Sequence, residues 1–254
     1  MTEGRAVRAA EVHVVAPPRP CSYLAGRDAR SEYRLALDAD DARLDALLVR
    51  GWRRFGPVYF RPACDGCGEC VPLRLPLAQF APTRRQRRAR RKCARLRVSL
   101  GAPRVDEERL ALHRAWHAWR ERARGWEPGD LDAETYFSEL AFPHPAAREL
   151  CFHDGDRLVA VGLCDVTARA WSAVYFFYHP DVARLSPGVA HVVIAAEMAR
   201  ARGIPHLYLG FRVAGCPSMA YKADFRPHEL LVGRPALDEE PTWAPSPPPL
   251  QGPV

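Results

Sequence analysis

Glu149-Leu150-Cys151-Phe152-His153-Asp154-Gly155-Asp156-Arg157-Leu158-Val159-Ala160-Val161-Gly162-Leu163 decides the fold. Two runs rich in apolar and β-forming residues flank Asp154-Gly155. That dipeptide accepts the positive φ angles of a tight hairpin turn, so strands are expected over Glu149 to His153 and Arg157 to Leu163. Downstream, Trp171 to Tyr178 is rich in aromatics and reads as a third strand. Gly188 to Arg202 carries Val189, Val192, Val193 and Ala196 on one helical face, with Gly203 placed to end the helix. His206 to Leu209 reads as a fourth strand.

Upstream of the hairpin, Asp106 to Arg124 carries Leu110, Leu112, Trp116 and Trp119 and reads as a helix; Asp132 to Leu140 reads as another. Helix, helix, hairpin, aromatic strand, loop, helix, strand is the order of the acyl-transferase fold called GNAT. The expected class is α/β (α+β), with a mixed, mostly antiparallel sheet in the C-terminal domain.

The first hundred residues differ in texture. Residues 1–20 read as a flexible arm ending in Pro17-Pro18-Arg19-Pro20. Asp40 to Val49 has helical spacing, Trp52 to Phe60 a hairpin with Gly56-Pro57 as its turn, and Val71, Leu73 and Leu75 alternate as in a strand. Thr83-Arg84-Arg85-Gln86 fits a helix capping box. Leu96, Val98 and Leu100 alternate again, and Gly101-Ala102-Pro103 reads as a domain boundary. The expected division is therefore an N-terminal cysteine-containing domain at 21–101, a GNAT-like domain at 102–235, and a disordered tail at 236–254. That tail holds six prolines between Pro241 and Pro253.

The 48% hydrophobic and 26% charged shares are ordinary for a globular chain. No apolar run approaches the ~20 residues of a spanning helix, and the N-terminus lacks a signal's apolar region. Membrane association is not expected and a cytoplasmic setting is, where disulfides are rare. The eight cysteines then need another reason, and three cluster at Cys64, Cys67 and Cys70. This C-x₂-C-x₂-C spacing suits thiolates around zinc or an iron–sulfur cluster, with Cys21 or Cys93 as a fourth ligand. Three reduced, partly buried thiols are the plainer reading.

Charge is concentrated too. Of 37 Lys and Arg, nine lie between Arg84 and Arg97 without one acid, which leaves 28 against 30 acids elsewhere. A solvated basic helix is the ordinary reading of a charge run. Nine cations without an interspersed acid repel each other, so an anionic partner is expected, contacted through phosphates because no aromatic interrupts the run. Arg184 to Ala190 precedes a helix N-terminus and reads as an ordinary turn or a phosphate loop. Tyr208 to Lys222 is polar and glycine-rich, and follows a strand where acyl-transferase folds open their cleft.

Taken together, several segments resemble the arginyltransferase family, in its bacterial leucyltransferase branch. They are Cys21 to Arg30, Val58 to Pro62 leading into Cys64 to Arg74, Phe80 to Arg88, Tyr175 to Asp181, and Tyr208 to Pro227, in family order over roughly residues 20–232. Arg91-Lys92-Cys93, Phe211-Arg212 and Ser186-Pro187-Gly188 depart from the usual family residues. The resemblance implies transfer of leucine from leucyl-tRNA to an N-terminal Asp or Glu of an acceptor protein, marking it for N-end rule degradation. It implies Tyr178, Tyr221 and Lys222 as catalytic, Arg84, Arg85, Arg87, Arg88 and Arg91 as tRNA-binding, and Arg74, Tyr208, Gly210 and Arg212 as substrate-binding. It further implies Cys21, Cys64, Cys67 and Cys70 as a metal set that the transfer chemistry does not require.

The alternative donor is arginyl-tRNA. A non-catalytic tRNA- or RNA-binding metalloprotein is the rival of another class. An acetyl-CoA-dependent N-acetyltransferase would share the fold but needs no extended basic patch.

Overall fold

The structure is a computed structural model that describes residues 11–125, 129 and 131–246. The chain begins with β1 (Val12–Val15), the short pair β2 (Arg19–Pro20) and β3 (Asp28–Ala29), β4 (Ser31–Leu35) and α1 (Asp41–Leu48). The hairpin β5 (Arg53–Phe55) and β6 (Val58–Pro62) follows, then β7 (Val71–Pro76), α2 (Arg84–Lys92) and β8 (Arg97–Gly101). Next come α3 (Glu107–Arg124), α4 (Ala133–Tyr136), β9 (Ala147–Asp154), β10 (Arg157–Val166), β11 (Ala170–Tyr178), α5 (Pro187–Ala201) and β12 (His206–Arg212). A helical turn α6 (Pro217–Ala220), β13 (Glu229–Leu231) and β14 (Trp243–Pro245) complete it.

Eight strands form one sheet in the order β14-β13-β7-β12-β11-β10-β9-β8. Only β11 and β12 run parallel, joined by the α5 crossover; every other neighbouring pair is antiparallel. The mixed, mostly antiparallel sheet is the one expected from the sequence. Alternation along the strands sends Leu73, Leu75, Leu207 and Leu209 to the core under α5, which buries Val192, Val193, Ala195 and Ala196 against them. Each of these leucines and valines stabilises by about 1.5–3 kcal/mol when removed from water. On another layer, α3 lays Leu112 and Trp116 against Val161, Leu163 and Phe177.

The division expected at residues 101–103 falls inside this sheet. β8 ends at Gly101 and pairs with β9, while β7 lies between β12 and β13. The smaller sheet, β1-β4-β6-β5, belongs wholly to the first 62 residues. Within the expected arm, β1 pairs with β4 from Val12–Leu35 to Val15–Glu32, and residues 1–10 lie outside the described residues. Within the expected tail, β14 pairs with β13, and the Trp243 indole N–H donates to Val49 O at 2.9 Å. Counting prolines overlooked the one aromatic that supplies both a donor and a packing face; residues 247–254 lie outside the described residues.

The helix expected over Asp132 to Leu140 is α only to Tyr136 and widens to a π turn over Phe137–Ala141. Gly56, at φ +53°, sits directly on that turn. A Cβ there would come 1.9 Å from Ser138 O, so only glycine lets the β5–β6 hairpin close onto this layer.

Candidate active site and nucleic-acid face

The parallel pairing of β11 with β12 runs from Ala170–His206 to Ser172–Tyr208 and goes no further. Beyond it β12 stays with β7 through a register shift between Tyr208 and Gly210. The two central strands therefore part, and Arg53 of β5 reaches the fork. Its Nη1 donates to Ser172 Oγ at 2.9 Å and its Nη2 to Ala173 O. Across the fork stands Gly210, at φ +77°, where an added Cβ would lie 3.3 Å from Arg53 Nε. A side chain there would be strained by that φ and would crowd the guanidinium.

Arg53 is only 8% exposed, like Arg54, Arg61 and Arg109. Those three hold carboxylates: Arg54 bonds Asp165, Arg61 bonds Glu32, and Arg109 Nε donates to Glu149 Oε2 at 2.9 Å. Arg53 has no carboxylate partner among the described residues. Burial lowers its pKa to about 10, so it remains charged at neutral pH.

Lys222 belongs to the same neighbourhood. Its Nζ donates to Phe211 O at 2.9 Å, one residue beyond Gly210, and lies 3.7 Å from Met219 Sδ. Burial, aided by the Arg53 charge, brings its pKa down to about 7. Tyr221 beside it is 45% exposed. Phe55 stacks on Phe60 at 5.5 Å, and Phe60 meets Phe211 edge-on, so aromatic rings line this side of the fork.

Other expected site residues settle elsewhere. Tyr178 packs on Trp116 at 4.3 Å and on Trp119 of α3, in the helix-packing layer. Arg74 Nε donates to Glu229 Oε2 at 2.6 Å, its Nη1 donates to the Tyr208 hydroxyl at 3.3 Å, and its guanidinium lies 4.3 Å from the Trp243 ring centre. Arg74 and Tyr208 thus tie β7, β12, β13 and β14 together. Arg212 is half-buried at the end of β12. Sequence reading missed Arg53: the available signal was a pair of arginines inside a strand-like run, Trp52-Arg53-Arg54-Phe55, where solvated charges are out of place.

The basic face is α2. Thr83 and Gln86 form the reciprocal capping box the sequence predicts. Gln86 and Ala89 are buried, while Arg84, Arg85, Arg87, Arg88, Arg91 and Lys92 are exposed. Arg84, Arg85, Arg88, Arg91 and Lys92 line one shallow surface depression. Helical spacing places Arg84, Arg88 and Arg91 on one stripe. Among the described residues no acid bonds these side chains, whereas Arg90 at the flank bonds Glu197 at 3.0 Å. Lys92 Nζ donates to Arg184 O at 2.9 Å, which pins the turn before α5.

One contact joins this face to the fork. The Gln86 side-chain amide donates to Asp224 O at 3.0 Å, two residues past Lys222. Phe80 and Phe225 pack beside it at 6.4 Å.

Cys64, Cys67 and Cys70 line one cavity of about 320 Å³ together with Arg50, Arg61 and Phe211. Cys64 Sγ accepts from Arg30 N at 3.3 Å, and Arg27 donates to Cys67 Sγ at 3.5 Å. Burial, with Cys64, Cys21 and Cys67 nearby, pushes the Cys70 thiol up to about 12. Among the described residues no three of these side chains stand together as metal ligands. The thiol donor set suits zinc or iron–sulfur chemistry. Cys93 is buried apart from them, under α2.

Two family models match the chain: the N terminus of arginine-tRNA-protein transferase over residues 19–88 and its C terminus over residues 108–232. An aspartate/glutamate leucyltransferase from Halorhodospira halophila is 41% identical over 84% of this chain and 91% of its own length. The protein of that name from Chromobacterium violaceum is 39% identical over 92% and 96%, and one from Campylobacter jejuni 33% identical over 86% and 92%. Among solved structures, the C-terminal domain of a putative lysylphosphatidylglycerol synthetase from Agrobacterium fabrum shares 14% identity at a TM-score of 0.43, covering 70% of this chain and 54% of that one. A likeness of that size has no weight beside the strand order itself.

Proposed function

This chain belongs to the arginine-tRNA-protein transferase family, and from that premise we propose that it takes leucine from leucyl-tRNA and joins it to the N-terminal Asp or Glu of an acceptor protein. It is an aminoacyltransferase, as its relatives' shared name states. The observation that supports the tRNA part of this reading is the Gln86–Asp224 hydrogen bond. It ties the arginine face to the loop carrying Lys222, so phosphates held on α2 present the charged acceptor end to the fork at a fixed distance. No helix among the described residues is long and apolar enough to cross a membrane.

The reaction is aminolysis of an ester. The acceptor's α-amine attacks the leucyl carbonyl carbon, the new C–N bond forms, and the bond to the ribose oxygen breaks. An α-amine has a pKa near ~7.7–8.0, so much of it starts as ammonium at neutral pH. Lys222, brought to about 7, takes the ammonium proton as general base. Tyr221, at the exposed mouth, carries a proton from the attacking nitrogen to the departing ribose oxygen. Because the ester is already activated, holding amine and carbonyl within ~3–3.5 Å supplies most of the rate.

The test is direct. Leucyl- and arginyl-tRNA, charged separately, are incubated with the protein and peptides starting in Asp, Glu or Ala, and transfer is followed. Leucine on Asp and Glu peptides is the expected outcome. Arginine transfer would reassign the donor, and binding of tRNA without transfer would reduce the protein to a binding module.

A further inference from the structure

We propose that Arg53 reads the acidic side chain of the acceptor's N-terminal residue, a reading that rests on the transfer reaction above. The case begins with charge. A buried cation is retained where a carboxylate pairs with it, and Arg54, Arg61 and Arg109 obey that rule with Asp165, Glu32 and Glu149. Arg53 breaks it. Asp165, the acid that acts on it electrostatically, is bonded by Arg54 through Oδ1, and no hydrogen bond joins its Oδ2 to Arg53.

Donor accounting leads the same way. A guanidinium carries five N–H groups. Ser172 Oγ and Ala173 O account for two of them, and both acceptors are neutral. The remaining donors match a carboxylate, which the planar fork of an arginine grips in two-point fashion.

Place completes the argument. Arg53 stands where β11 and β12 part, beside Gly210 and electrostatically coupled to Lys222. A side-chain carboxylate seated on Arg53 leaves the same residue's α-amine a few bonds away, within the neighbourhood of Lys222. Asp and Glu satisfy both demands; Asn and Gln present the same shape without the charge. Lys222 is the poorer reader, since a group titrating near 7 is not a constant charge at cellular pH. Arg53 stays charged throughout.

The experiment compares peptides that begin with Asp or Asn, in the wild type and in Arg53→Lys and Arg53→Gln. Expected is a fall of roughly 100-fold in the Asp-over-Asn ratio of kcat/KM for both variants, with leucyl-tRNA affinity unchanged. Retention of the wild-type ratio in a folded variant overturns the assignment, as does a loss confined to leucyl-tRNA binding. Should the variants not fold, a crystal structure of the wild type with Asp-Ala dipeptide decides. The carboxylate on Arg53 supports the assignment, and a carboxylate seated elsewhere removes it. A wild type that transfers no leucine rejects the reaction assigned above, while the dipeptide still tests Arg53 on its own.

Discussion

Arginine is used in two opposite ways in this molecule. On α2 it is serial and, apart from half-buried Arg90 with its Glu197 partner, exposed and unpaired with any acid among the described residues, and the helix is held by its two uncharged residues, Gln86 and Ala89. Where it is buried, Arg54, Arg61 and Arg109 are each matched to a carboxylate far away in sequence, Asp165, Glu32 and Glu149. The exposed arginines contribute almost nothing to folding and are available to a polyanion. The buried ones contribute to folding and are available to nothing, with Arg53 as the exception.

The largest effect that tests this contrast is on stability. Arg109→Met leaves Glu149 charged and buried without its partner, so unfolding free energy should fall by about 3–5 kcal/mol. Replacing both members, Arg109→Met with Glu149→Leu, should recover much of that loss. Denaturant titrations check both; a double variant as weak as the single would mean that the pair itself, and not the stranded acid, carries the energy.

Next comes chemistry without stability. Lys222→Met should lower transfer about 100-fold, or ~2.7 kcal/mol of barrier, with little change in melting temperature. Its pH profile sharpens the point. The base form of lysine is the neutral one, so wild-type transfer should climb as pH rises through about 7 and fall below it. In the variant that step should vanish, leaving only the titration of the acceptor amine. A wild-type rate that is flat between pH 6 and 8 would remove Lys222 as base.

The third effect moves affinity alone. Reversing Arg84, Arg85, Arg88 and Arg91 to Glu should flatten the dependence of log K for tRNA on log salt, by about 0.7–0.9 per lost phosphate contact. Stability should stay within about 0.5 kcal/mol, because none of the four side chains bonds an acid among the described residues. An unchanged slope would move the RNA to another face. Smallest of all, Arg90→Ala loses only a half-exposed pair with Glu197, and its cost should be about 0.2–1 kcal/mol.

The same contrast explains what could be read in advance. Hairpin, aromatic strand and α5 crossover were legible because strand alternation, Asp154-Gly155 and helical spacing are local patterns. The basic helix and its Thr83–Gln86 cap were legible for the same reason. Arg53 was not, since its meaning depends on Ser172, Gly210 and the absence of a carboxylate, all set by packing across more than a hundred residues. Arg74 and Tyr208 were expected at substrate; their contacts with Glu229 and Trp243 are ones that no local window contains. The Pro-rich end misled for a related reason, because composition does not register one tryptophan with a docking place.

The position of β7 also has a bearing on how the chain is made. Its neighbours are β12 and β13, so a strand completed at Pro76 waits for residues 206–212 and 229–231. At roughly 5–20 residues per second of synthesis, that interval is about 7–30 seconds. During it Leu73 and Leu75 have no sheet to enter, and both edges of the strand can pair with whatever they meet. Nascent chains of this protein should therefore depend on a holding chaperone until residues 206–231 are translated, and slowing the ribosome between β7 and β12 should lower the yield of active enzyme more than slowing it before β7.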